Sequence, residues 1–560
     1  MKIYDENTTR KYYELGAWDN KLFQDYVKEY AEKTPDREAI VDQPNKEELI
    51  GVRPYRLTWK EYSTLIDRLA LNFLEFGIKA EDVVFTFLPN CVEFAVVHLA
   101  LARIGAVGTY APMRYRDEEV VNQIRLSEAK YAISMGEFRG FNCFEMVKNL
   151  HPQCPSLKGF IGFGKGIPKD TPTLQKMLRT KLEVKYPADY LDQYRNSPDD
   201  LLNLCITTGT EALSKLVPRT QNNWKIFVRP VLKATGHDSD TVFCSPFPLV
   251  NMGGLGVGFY LSVLSGGKFI IHEPFDVDIW LKQITEEKMN YFIAVNFIYN
   301  AMLNHPELDT KYDISSLTVT GCGGEPPAPW IVEAMDNRGI TIIDEFGSTE
   351  GWAFFSFASQ ALKDRQEQRF LLAKIKEMIP GYEVKCVEPK TLKEVPVGTP
   401  GELAVKGPNV LPYYWNAPKV NKRDFAEGFF FSGDLVKIDQ DNTLTYESRI
   451  KDMIIRSGQN IAPAEIEGYI QKHPKVFDVG VIGIPDPERG EKVCACVSLK
   501  DKNQPITLEE IRSFMREQKI ASFKIPERLE ILDELPMGPS RKLDKKVLRA
   551  EVKKRIEAEP

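Results

Sequence analysis

The sequence predicts an α/β protein with a large N-terminal domain and a small C-terminal domain. The chain has 560 residues, which is too long for one hydrophobic core and predicts two to four domains. Helical and strand patterns alternate along most of its length, which is typical of βα units around parallel sheets. After Pro400 the pattern changes to short strands, and after Lys451 to a compact mixture of helices and strands.

The first βα units are visible as changes in apolar spacing. Residues 59–76 carry apolar side chains at helical spacing, and Gly77 ends the helix. A short apolar strand follows at 83–88, and a second helix at 91–103. Further strands of this kind are predicted at 201–206, 269–271, 317–320 and 340–343. We therefore expect parallel or mixed sheets of βα subdomains.

The last part of the chain predicts two smaller units. Strands at 401–405 and 444–446 predict a small β-barrel-like unit that completes an N-terminal domain of residues 1–450. Residues 451–560 predict a C-terminal α+β domain of about 110 residues, a usual domain size. Its predicted elements are a helix at 463–471, strands at 476–484 and 492–499, and a helix at 508–517.

Composition excludes several classes of protein. The net charge of -6 with mixed signs gives no nucleic-acid footprint. No apolar run approaches the ~18 residues of a membrane span, and the first residues lack the apolar segment of a secretory signal. The nine dispersed cysteines show no paired metal-ligand spacing, so free thiols are expected. We predict a cytoplasmic protein with no nucleic-acid partner.

A hydroxyl-rich loop follows the predicted strand at 201–206. Its sequence, residues 207–215, is Thr-Thr-Gly-Thr-Glu-Ala-Leu-Ser-Lys. Backbone N–H groups, hydroxyls and one ammonium that face a common point are suited to holding a polyphosphate. The spacing is not that of a Walker loop. Read alone, a cluster of Thr, Ser and Gly is more often an ordinary surface loop.

Four more polar clusters follow in order along the chain. They are 346–351 (Phe-Gly-Ser-Thr-Glu-Gly), 431–435 (Phe-Ser-Gly-Asp-Leu), the segment 448–460, and 535–542 (Leu-Pro-Met-Gly-Pro-Ser-Arg-Lys). Glu350 offers a hard oxygen for Mg²⁺ and Asp434 a carboxylate for two ribose hydroxyls. Each cluster taken singly could also be a solvated turn, hairpin or basic loop.

The order and spacing of these five clusters closely resemble the superfamily of adenylate-forming enzymes. That superfamily includes acyl-CoA synthetases, aryl-acid–AMP ligases, carrier-loading adenylation domains and luciferases, and the resemblance runs from about Leu57 to Arg549. Residues 213–220 look particularly like aryl-acid–AMP ligases of the dihydroxybenzoate type. Residues 457–465 are similar to ligases that produce free CoA thioesters.

The resemblance implies a two-step reaction and a role for each cluster. A carboxylate attacks the α-phosphate of ATP to give acyl-AMP and pyrophosphate, and a thiol then accepts the acyl group. The implied catalytic residues are Lys542, Thr349 and Glu350, with Glu350 and Thr210 at Mg²⁺. The implied nucleotide-binding residues are Thr207, Thr208, Gly209, Thr210, Lys215, Gly323, Gly324, Glu325, Glu345, Phe346, Gly347, Asp434 and Arg449.

The resemblance also implies an acid pocket and a moving C-terminal domain. The pocket is expected at Asn251, Met252, Gly323, Trp352 and Ala353. Asn251 could bond a polar ring substituent or simply cap a turn. The small domain is expected to rotate about Lys451, exchanging Lys542 for a thiol-side loop at Ser457, Gly458 and Gln459.

Some positions depart from the superfamily pattern. Glu211-Ala212 stand where Thr-Gly is usual in the phosphate loop, and Phe346 stands where Tyr usually stacks on adenine. In the last cluster, Gly538 replaces a usual Thr and Arg541 a usual Gly, whereas Lys542 is retained. A carboxylate beside a triphosphate costs roughly a few kcal/mol unless it points away or binds Mg²⁺.

We therefore expect an ATP- and Mg²⁺-dependent acid:CoA ligase that acts on an aryl, alicyclic or medium-chain carboxylic acid. One alternative is a stand-alone aryl-acid–AMP ligase that loads the thiol of a separate carrier protein. An alternative of another class is a non-catalytic nucleotide-binding relative.

Overall fold

Two mainly parallel sheets form the first part of the fold. The computed structural model describes residues 1–207, 214–457, 459–518, 520–538 and 543–558. The eight-stranded sheet has the order Ala353–Phe355, Thr341–Gly347, Val319–Gly323, Tyr291–Ala294, Val242–Ser245, Lys268–Ile271, Glu38–Val41 and Arg56–Thr58. The six-stranded sheet has the order Leu216–Thr220, Leu201–Ile206, Val107–Tyr110, Val83–Phe87, Tyr131–Met135 and Gly159–Phe163. The strand pairs inside both sheets are parallel, which confirms the α/β prediction.

Antiparallel strands form two smaller sheets and a short hairpin. One has the order Arg369–Leu371, Thr443–Arg449, Phe429–Ile438, Gly401–Lys406 and Glu383–Val387, with Phe425–Ala426 paired to it. The other has the order Gln459–Ile461, Ile454–Arg456, Gly490–Leu499 and Val476–Asp486, with Arg528–Ile531 parallel at one side. The hairpin pairs Glu137–Phe138 with Phe141–Asn142. The first of these sheets begins before Pro400, earlier than the sequence pattern predicts.

Helices cover the sheets. In the N-terminal part they are Glu6–Glu14, Phe23–Lys33, Lys46–Ile50, Trp59–Phe76, Val92–Arg103, Asp117–Ser127, Cys143–Asn149, Leu174–Arg179, Gln221–Thr235, Leu261–Ser265, Val277–Glu287, Asn296–Leu303, Leu308–Lys311, Pro329–Asp336, Leu362–Gln366, Leu372–Met378 and Pro418–Asp424. The C-terminal ones are Pro463–Ile470, Leu508–Glu517 and Lys545–Glu557. Short 3₁₀ turns lie at His151–Gln153, Leu182–Val184, Tyr190–Tyr194, Ile450–Asp452 and Ser522–Lys524. None of the helices described is both long and apolar enough to cross a bilayer.

Local sequence explains where the helix Trp59–Phe76 begins and ends. Thr58 accepts a hydrogen bond from the Glu61 N–H, and the Glu61 side chain returns to the Thr58 backbone, so two N-terminal donors are satisfied. Gly77 ends the helix at φ +105°, a conformation that side chains with Cβ rarely adopt. The apolar face buries Leu69 and Phe73 completely.

Separate apolar cores form before and after residue 450. One continuous cluster extends from Ile3 to Leu444 and joins the first three sheets. Separate clusters around Val481 and Leu548 lie in the last sheet and its helices. All nine cysteines are buried free thiols.

A glycine-rich segment forms the π-helix Met252–Tyr260, which the sequence pattern does not predict. A Cβ on Gly254 would lie 2.2 Å from the Pro248 carbonyl oxygen, and one on Gly258 would lie 2.6 Å from the Ser245 side chain. The glycines therefore let this helix approach the sheet closely. The helix becomes one wall of the cavity described below.

A buried charge cluster joins the start of the helix Val92–Arg103 to the helix Lys46–Ile50. The Lys46 ammonium lies 2.6 Å from carboxylate oxygens of both Asp42 and Glu93, and all three side chains are at most 3% exposed. Asp42 also accepts hydrogen bonds from the Val92 and Tyr55 N–H groups. Burial opposes the charged lysine, but the two carboxylates outweigh it and raise the pKa of Lys46.

Replacing Lys46 by Met tests this cluster. The change leaves two buried carboxylates without their cation, so we expect the free energy of unfolding to fall by about 3–5 kcal/mol. Urea denaturation measures it. The control Lys33→Met removes an exposed ion pair with Glu29 and should cost less than about 0.5 kcal/mol. Equal losses in the two variants would show that the buried charge cluster contributes no more to stability than an exposed ion pair.

Candidate active site

A cavity of about 100 Å³ lies at the carboxyl ends of the strands Tyr291–Ala294, Val319–Gly323 and Thr341–Gly347. This is the edge of a parallel sheet at which ligands usually bind. The cavity is lined by Phe227, Val231, Phe247, Asn251, Met252, Gly253, Val257, Ile293, Gly323, Gly324, Glu345, Gly347, Ser348, Thr349, Ala353, Phe354 and Phe355. Most of these side chains are apolar, and the polar ones lie mainly at one end, on the strand Thr341–Gly347 and the turn after it.

The turn that carries Thr349 and Glu350 closes on itself. The Gly351 N–H donates to the Ser348 carbonyl at 3.0 Å, and the Ser348 N–H donates to the Trp352 carbonyl at 3.1 Å. Gly351 has φ +102°, which favours glycine at this position. Thr349 lines the cavity, so the turn brings its hydroxyl-bearing side chain to the cavity edge.

Residues that are distant from this turn in the sequence hold it in place through hydrogen bonds. The Asn409 amide donates to the Gly351 carbonyl at 2.8 Å, and the Leu411 N–H donates to the Glu350 carbonyl at 2.9 Å. The Arg219 guanidinium donates to the Asn409 carbonyl and, at 3.4 Å, to the Met252 sulfur. Arg219 is fully buried, and that burial lowers its pKa. The turn is therefore fixed by buried donors rather than by its own sequence alone.

Tyr414 connects the turn to the phosphate loop. Its hydroxyl donates to a Glu350 carboxylate oxygen at 2.6 Å, and the Lys215 ammonium lies 4.4 Å from the centre of its ring. Lys215 also pairs with Asp424 at 3.3 Å. Neither Tyr414 nor Asp424 was identified from the sequence. The only signal for Tyr414 was an aromatic run at 413–415.

Two hydrogen bonds close the base of the predicted phosphate loop, residues 207–215. The Thr207 N–H donates to the Lys215 carbonyl at 2.9 Å, and the Lys215 N–H donates to the Thr207 hydroxyl at 3.1 Å. The predicted loop residues Thr208, Gly209 and Thr210, with the departures Glu211-Ala212, lie outside the residues that the structure describes.

Asp434 and Arg449 are opposite each other on neighbouring antiparallel strands. The Arg449 guanidinium lies 2.6 Å from an Asp434 carboxylate oxygen, and Asp434 is completely buried. Asp434 raises the pKa of Arg449, and Glu350 acts in the same direction. This pair therefore lies within electrostatic reach of the Thr349–Glu350 turn.

Aromatic rings lie between the Asp434–Arg449 pair and the turn that carries Thr349 and Glu350. Phe346 packs against Tyr446 with ring centroids 4.7 Å apart, and against the edge of Trp352 at the same distance. Trp352 is only 1% exposed and is absent from the described lining of the cavity, where the sequence analysis had placed it. Its indole instead packs against Phe346 and Phe354, and Phe354 and Phe355 line the cavity.

The remaining predicted residues are distributed as follows. Asn251, Met252, Gly323, Gly324, Glu345, Gly347 and Ala353 line the cavity. Glu325 turns away from it, since its carboxylate accepts the Asn296 N–H at 2.8 Å and caps the helix Asn296–Leu303. The Asn251 side chain likewise accepts the Gly254 N–H at 2.9 Å and caps the π-helix.

The C-terminal elements lie against this body through a few contacts. The Arg114 guanidinium donates to the Gly538 carbonyl at 2.9 Å, and the Asn300 amide donates to the Phe477 carbonyl at 3.1 Å. Lys451, the predicted hinge, lies in the exposed 3₁₀ turn Ile450–Asp452. Lys542 and Gly458 lie outside the described residues, whereas Ser457 and Gln459 are described on either side of Gly458.

Comparisons with known proteins agree with this geometry. Residues 27–415 match the family model described as AMP-binding enzyme, and residues 465–542 match its C-terminal domain. The chain is 28% identical to a medium-chain fatty-acid–CoA ligase of Escherichia coli over 99% of this chain and 95% of that protein. It is 27% identical to a 2,3-dihydroxybenzoate-AMP ligase of Bacillus subtilis over 99% of this chain and 98% of that one.

Solved structures share the fold. The anthranilate CoA ligase AuaEII in complex with anthranoyl-AMP superposes with a TM-score of 0.81 at 18% identity, covering 96% of this chain and 98% of the other.

Replacing Gly351 by Ala tests how the turn is held. A Cβ there would lie 2.0 Å from the Asn409 carbonyl oxygen and 2.2 Å from the Arg219 guanidinium, so we expect a loss of about 2–4 kcal/mol in unfolding free energy. Gly339→Ala is the matched control, because Gly339 also has positive φ but no atom within 4 Å of the added Cβ. Chemical denaturation compares the two. A loss no larger than that of the control would show that the buried clamp does not restrain the turn.

Proposed function

Because this chain belongs to the AMP-binding enzyme family, we propose that it joins a ring-bearing or medium-chain carboxylic acid to CoA. The family identifies it as an adenylate-forming acid ligase, and the acid and the thiol acceptor are our proposal. The observation that carries the proposal is the largely apolar cavity that ends at Thr349, beside the cluster of Glu350, Tyr414 and Lys215. An apolar acid body would fill the cavity with its carboxylate toward the turn.

In the first step, a carboxylate oxygen of the acid attacks the α-phosphorus of ATP. The bond from that phosphorus to the bridging oxygen breaks, and pyrophosphate leaves with the electron pair. Both reactants are anions, so the site must supply positive charge and donors where charge accumulates. Lys215, Arg449 and the Thr349 hydroxyl are the described groups suited to this, and Lys542 is the further lysine that we propose from the sequence.

A magnesium ion would add to this charge neutralisation by binding phosphate oxygens. Glu350 fits such an ion, because it presents a hard carboxylate of which Tyr414 hydrogen-bonds one oxygen. Thr210 would be its partner from the phosphate loop.

In the second step, a thiolate attacks the carbonyl carbon of the acyl-adenylate and AMP leaves. The mixed anhydride makes this possible, since AMP is a far better leaving group than the oxide of a free carboxylate. We propose that the C-terminal domain turns about Lys451 between the steps, so that the loop of Ser457, Gly458 and Gln459 replaces the loop of Lys542.

A cationic groove supports free CoA as the acceptor. The groove has a volume of about 540 Å³, and its charged lining comprises Arg456, Arg489, Lys492, Arg512, Arg516, Asp486, Glu488 and Glu527. Five cations against three carboxylates leave a formal excess of two positive charges. Glu527 braces both Arg456 and Arg489 from a largely buried position, with only 15% of its side chain exposed. The cations are thus held in place on the groove surface.

The groove adjoins the proposed thiol-side loop. The Ser457 N–H donates to the Arg489 carbonyl at 2.7 Å, and the strand Ile454–Arg456 meets Gly490. Three phosphate groups on the nucleotide end of CoA match a compact group of cations better than the single phosphodiester of a carrier-bound pantetheine. A carrier protein remains the second candidate acceptor, favoured by the similarity to the dihydroxybenzoate-AMP ligase.

Acid-dependent pyrophosphate release tests the proposal. The purified chain is given Mg·ATP and a panel of benzoates, cyclohexanecarboxylate and C4–C10 fatty acids, with and without CoA. We expect release that depends on the acid and turns over many times only with CoA. A stalled adenylate in the presence of CoA would favour the carrier-protein acceptor. Bound AMP without release from any acid would instead favour a non-catalytic nucleotide-binding protein.

Removing cations from the groove tests the choice of acceptor. We expect the double variant Arg489→Gln and Lys492→Gln to raise the KM for CoA about 5- to 30-fold, because charge-assisted bonds to phosphate are lost. The rate of adenylate formation without CoA should stay unchanged. Steady-state assays with CoA and with pantetheine, which lacks the nucleotide, measure the difference.

Lys502→Gln is the control for that double variant, because Lys502 forms an exposed ion pair outside the groove with Asp533. It should leave the KM for CoA unchanged. An equal KM for CoA in the double variant and in the control would show that the groove does not bind CoA. The same would follow if the double variant raised the KM for pantetheine as much as the KM for CoA.

A further inference from the structure

One carboxyl group in the cavity wall has no part in the two steps described above. Glu345 is the only ionisable side chain among the described residues that line the cavity. The family resemblance implied a role for it in nucleotide binding. In the structure its side chain lies instead across the sheet, toward the strands that form the cavity floor.

The position of the Glu345 side chain is fixed by its neighbours. The Tyr291 hydroxyl donates to Glu345 Oε1 at 2.5 Å. A Cβ on Gly321 would lie 2.3 Å from the same oxygen and 2.7 Å from the Tyr291 hydroxyl oxygen, so the missing side chain of Gly321 makes room for this pair. Gly321, Gly323 and Glu345 occupy one face of the paired strands, which is the face below the cavity.

The second carboxyl oxygen, Oε2, has no protein partner among the residues that the structure describes. Glu345 lines the cavity and keeps an intermediate exposure, so this oxygen is open to the cavity. Desolvation by the surrounding groups raises the pKa of Glu345 to about 8, so the carboxyl is an acceptor at both oxygens only above that pH. A ligand that fills the cavity takes water away from Oε2, which is costly unless the ligand donates a hydrogen bond to it.

The rest of the cavity wall does not serve that oxygen. Phe227, Phe247, Phe354 and Phe355 are apolar, and the Asn251 side chain, whose oxygen caps the π-helix, forms no hydrogen bond with Glu345. Ser348 and Thr349 belong to the turn at which we place the reacting carboxylate. Glu345 and Thr349 are four positions apart, so their Cα atoms are at most ~14 Å apart. A single substrate of modest length can therefore reach both.

We propose that Glu345 recognises a hydrogen-bond donor, a hydroxyl or amino group, on the body of the acid substrate away from its reacting carboxylate. The inference rests on the proposed function and narrows its substrate class from ring-bearing or medium-chain acids to those that carry such a group. Tyr291 is a positioning residue in this scheme, because it orients the carboxyl and does not itself line the cavity.

Matched pairs of acids test the proposal in the full-length enzyme. The pairs are benzoate with 3- and 4-hydroxybenzoate and 3- and 4-aminobenzoate, and hexanoate with 6-hydroxyhexanoate and 6-aminohexanoate. The readout is kcat/KM for acid-dependent pyrophosphate release at pH 9, above the pKa of about 8 that desolvation gives Glu345, so that its carboxylate is ionised and accepts hydrogen bonds. We expect at least one donor-bearing acid to exceed its unsubstituted parent by about tenfold or more.

Two variants of Glu345 separate recognition from folding. Glu345→Met removes the acceptor at similar size, so the preferred donor-bearing acid should lose about tenfold to a hundredfold in kcat/KM relative to its unsubstituted parent. Glu345→Gln keeps an acceptor but no charge, so it should retain a preference for a hydroxyl and lose one for an ammonium group. Val257→Ala, on the apolar wall, is the control and should weaken both members of a pair alike.

The outcomes are distinct. Absence of pyrophosphate release with every acid in the wild-type enzyme would overturn the proposed function itself. Release without any preference for a donor would overturn only this inference. Equal loss for both members of a pair in Glu345→Met, with an unchanged melting temperature, would likewise overturn it, since the side chain would then act on all acids alike.

Discussion

The site depends on the hydrogen bonds that the fully buried Arg219 guanidinium donates. The guanidinium lies beneath the turn that carries Thr349 and Glu350, bound to the Asn409 carbonyl and to the sulfur of Met252. Asn409 in turn holds the Gly351 carbonyl. Taking such a charge out of water is costly, so a change that strands it is expected to disturb the turn and the cavity wall together. One side chain thereby couples the position of the turn to the shape of the cavity wall.

Tyr414 extends that coupling to the phosphate side. Its hydroxyl holds Glu350, its ring lies against Lys215, and its neighbour Trp415 donates a backbone bond to the Leu216 carbonyl. Glu350, Tyr414 and Lys215 come from separate segments of the chain, and the fold itself holds their side chains close together. Such preorganisation matters for a reaction between two anions, because charged groups that are already in place need no costly rearrangement.

Local signals in the sequence were sufficient for many of the helices and strands and for the order of the motifs. The capped helix Trp59–Phe76, its end at Gly77 and the strand before Phe346 follow from spacing and turn residues. The α/β class and the family are confirmed. The strands before Pro400 escaped notice because Arg369–Leu371 is short and Glu383–Val387 carries two charged residues, which weakens the strand signal.

The supporting parts of the site could not be read from the sequence. Arg219 and Asn409 are 190 residues apart, and Tyr414 is 64 residues from Glu350, so only the folded chain brings them together. The expected place of Trp352 differed for the same reason, since neighbouring aromatic rings decide which side chain faces the cavity. The resemblance implied nucleotide binding for Glu345, whereas the position of its side chain depends on Gly321 and Tyr291, which lie on the next two strands of the sheet.

The central claim is that the acid's own oxygen bonds to the α-phosphorus of ATP at this turn. The most direct measurement is to supply an acid labelled with ¹⁸O in its carboxylate and to analyse the nucleotide product by mass spectrometry after thioester formation. The account predicts AMP that carries one ¹⁸O atom and pyrophosphate that carries none. Unlabelled AMP, or ADP together with ¹⁸O in orthophosphate, would contradict it, because the acid would then have been activated in another way.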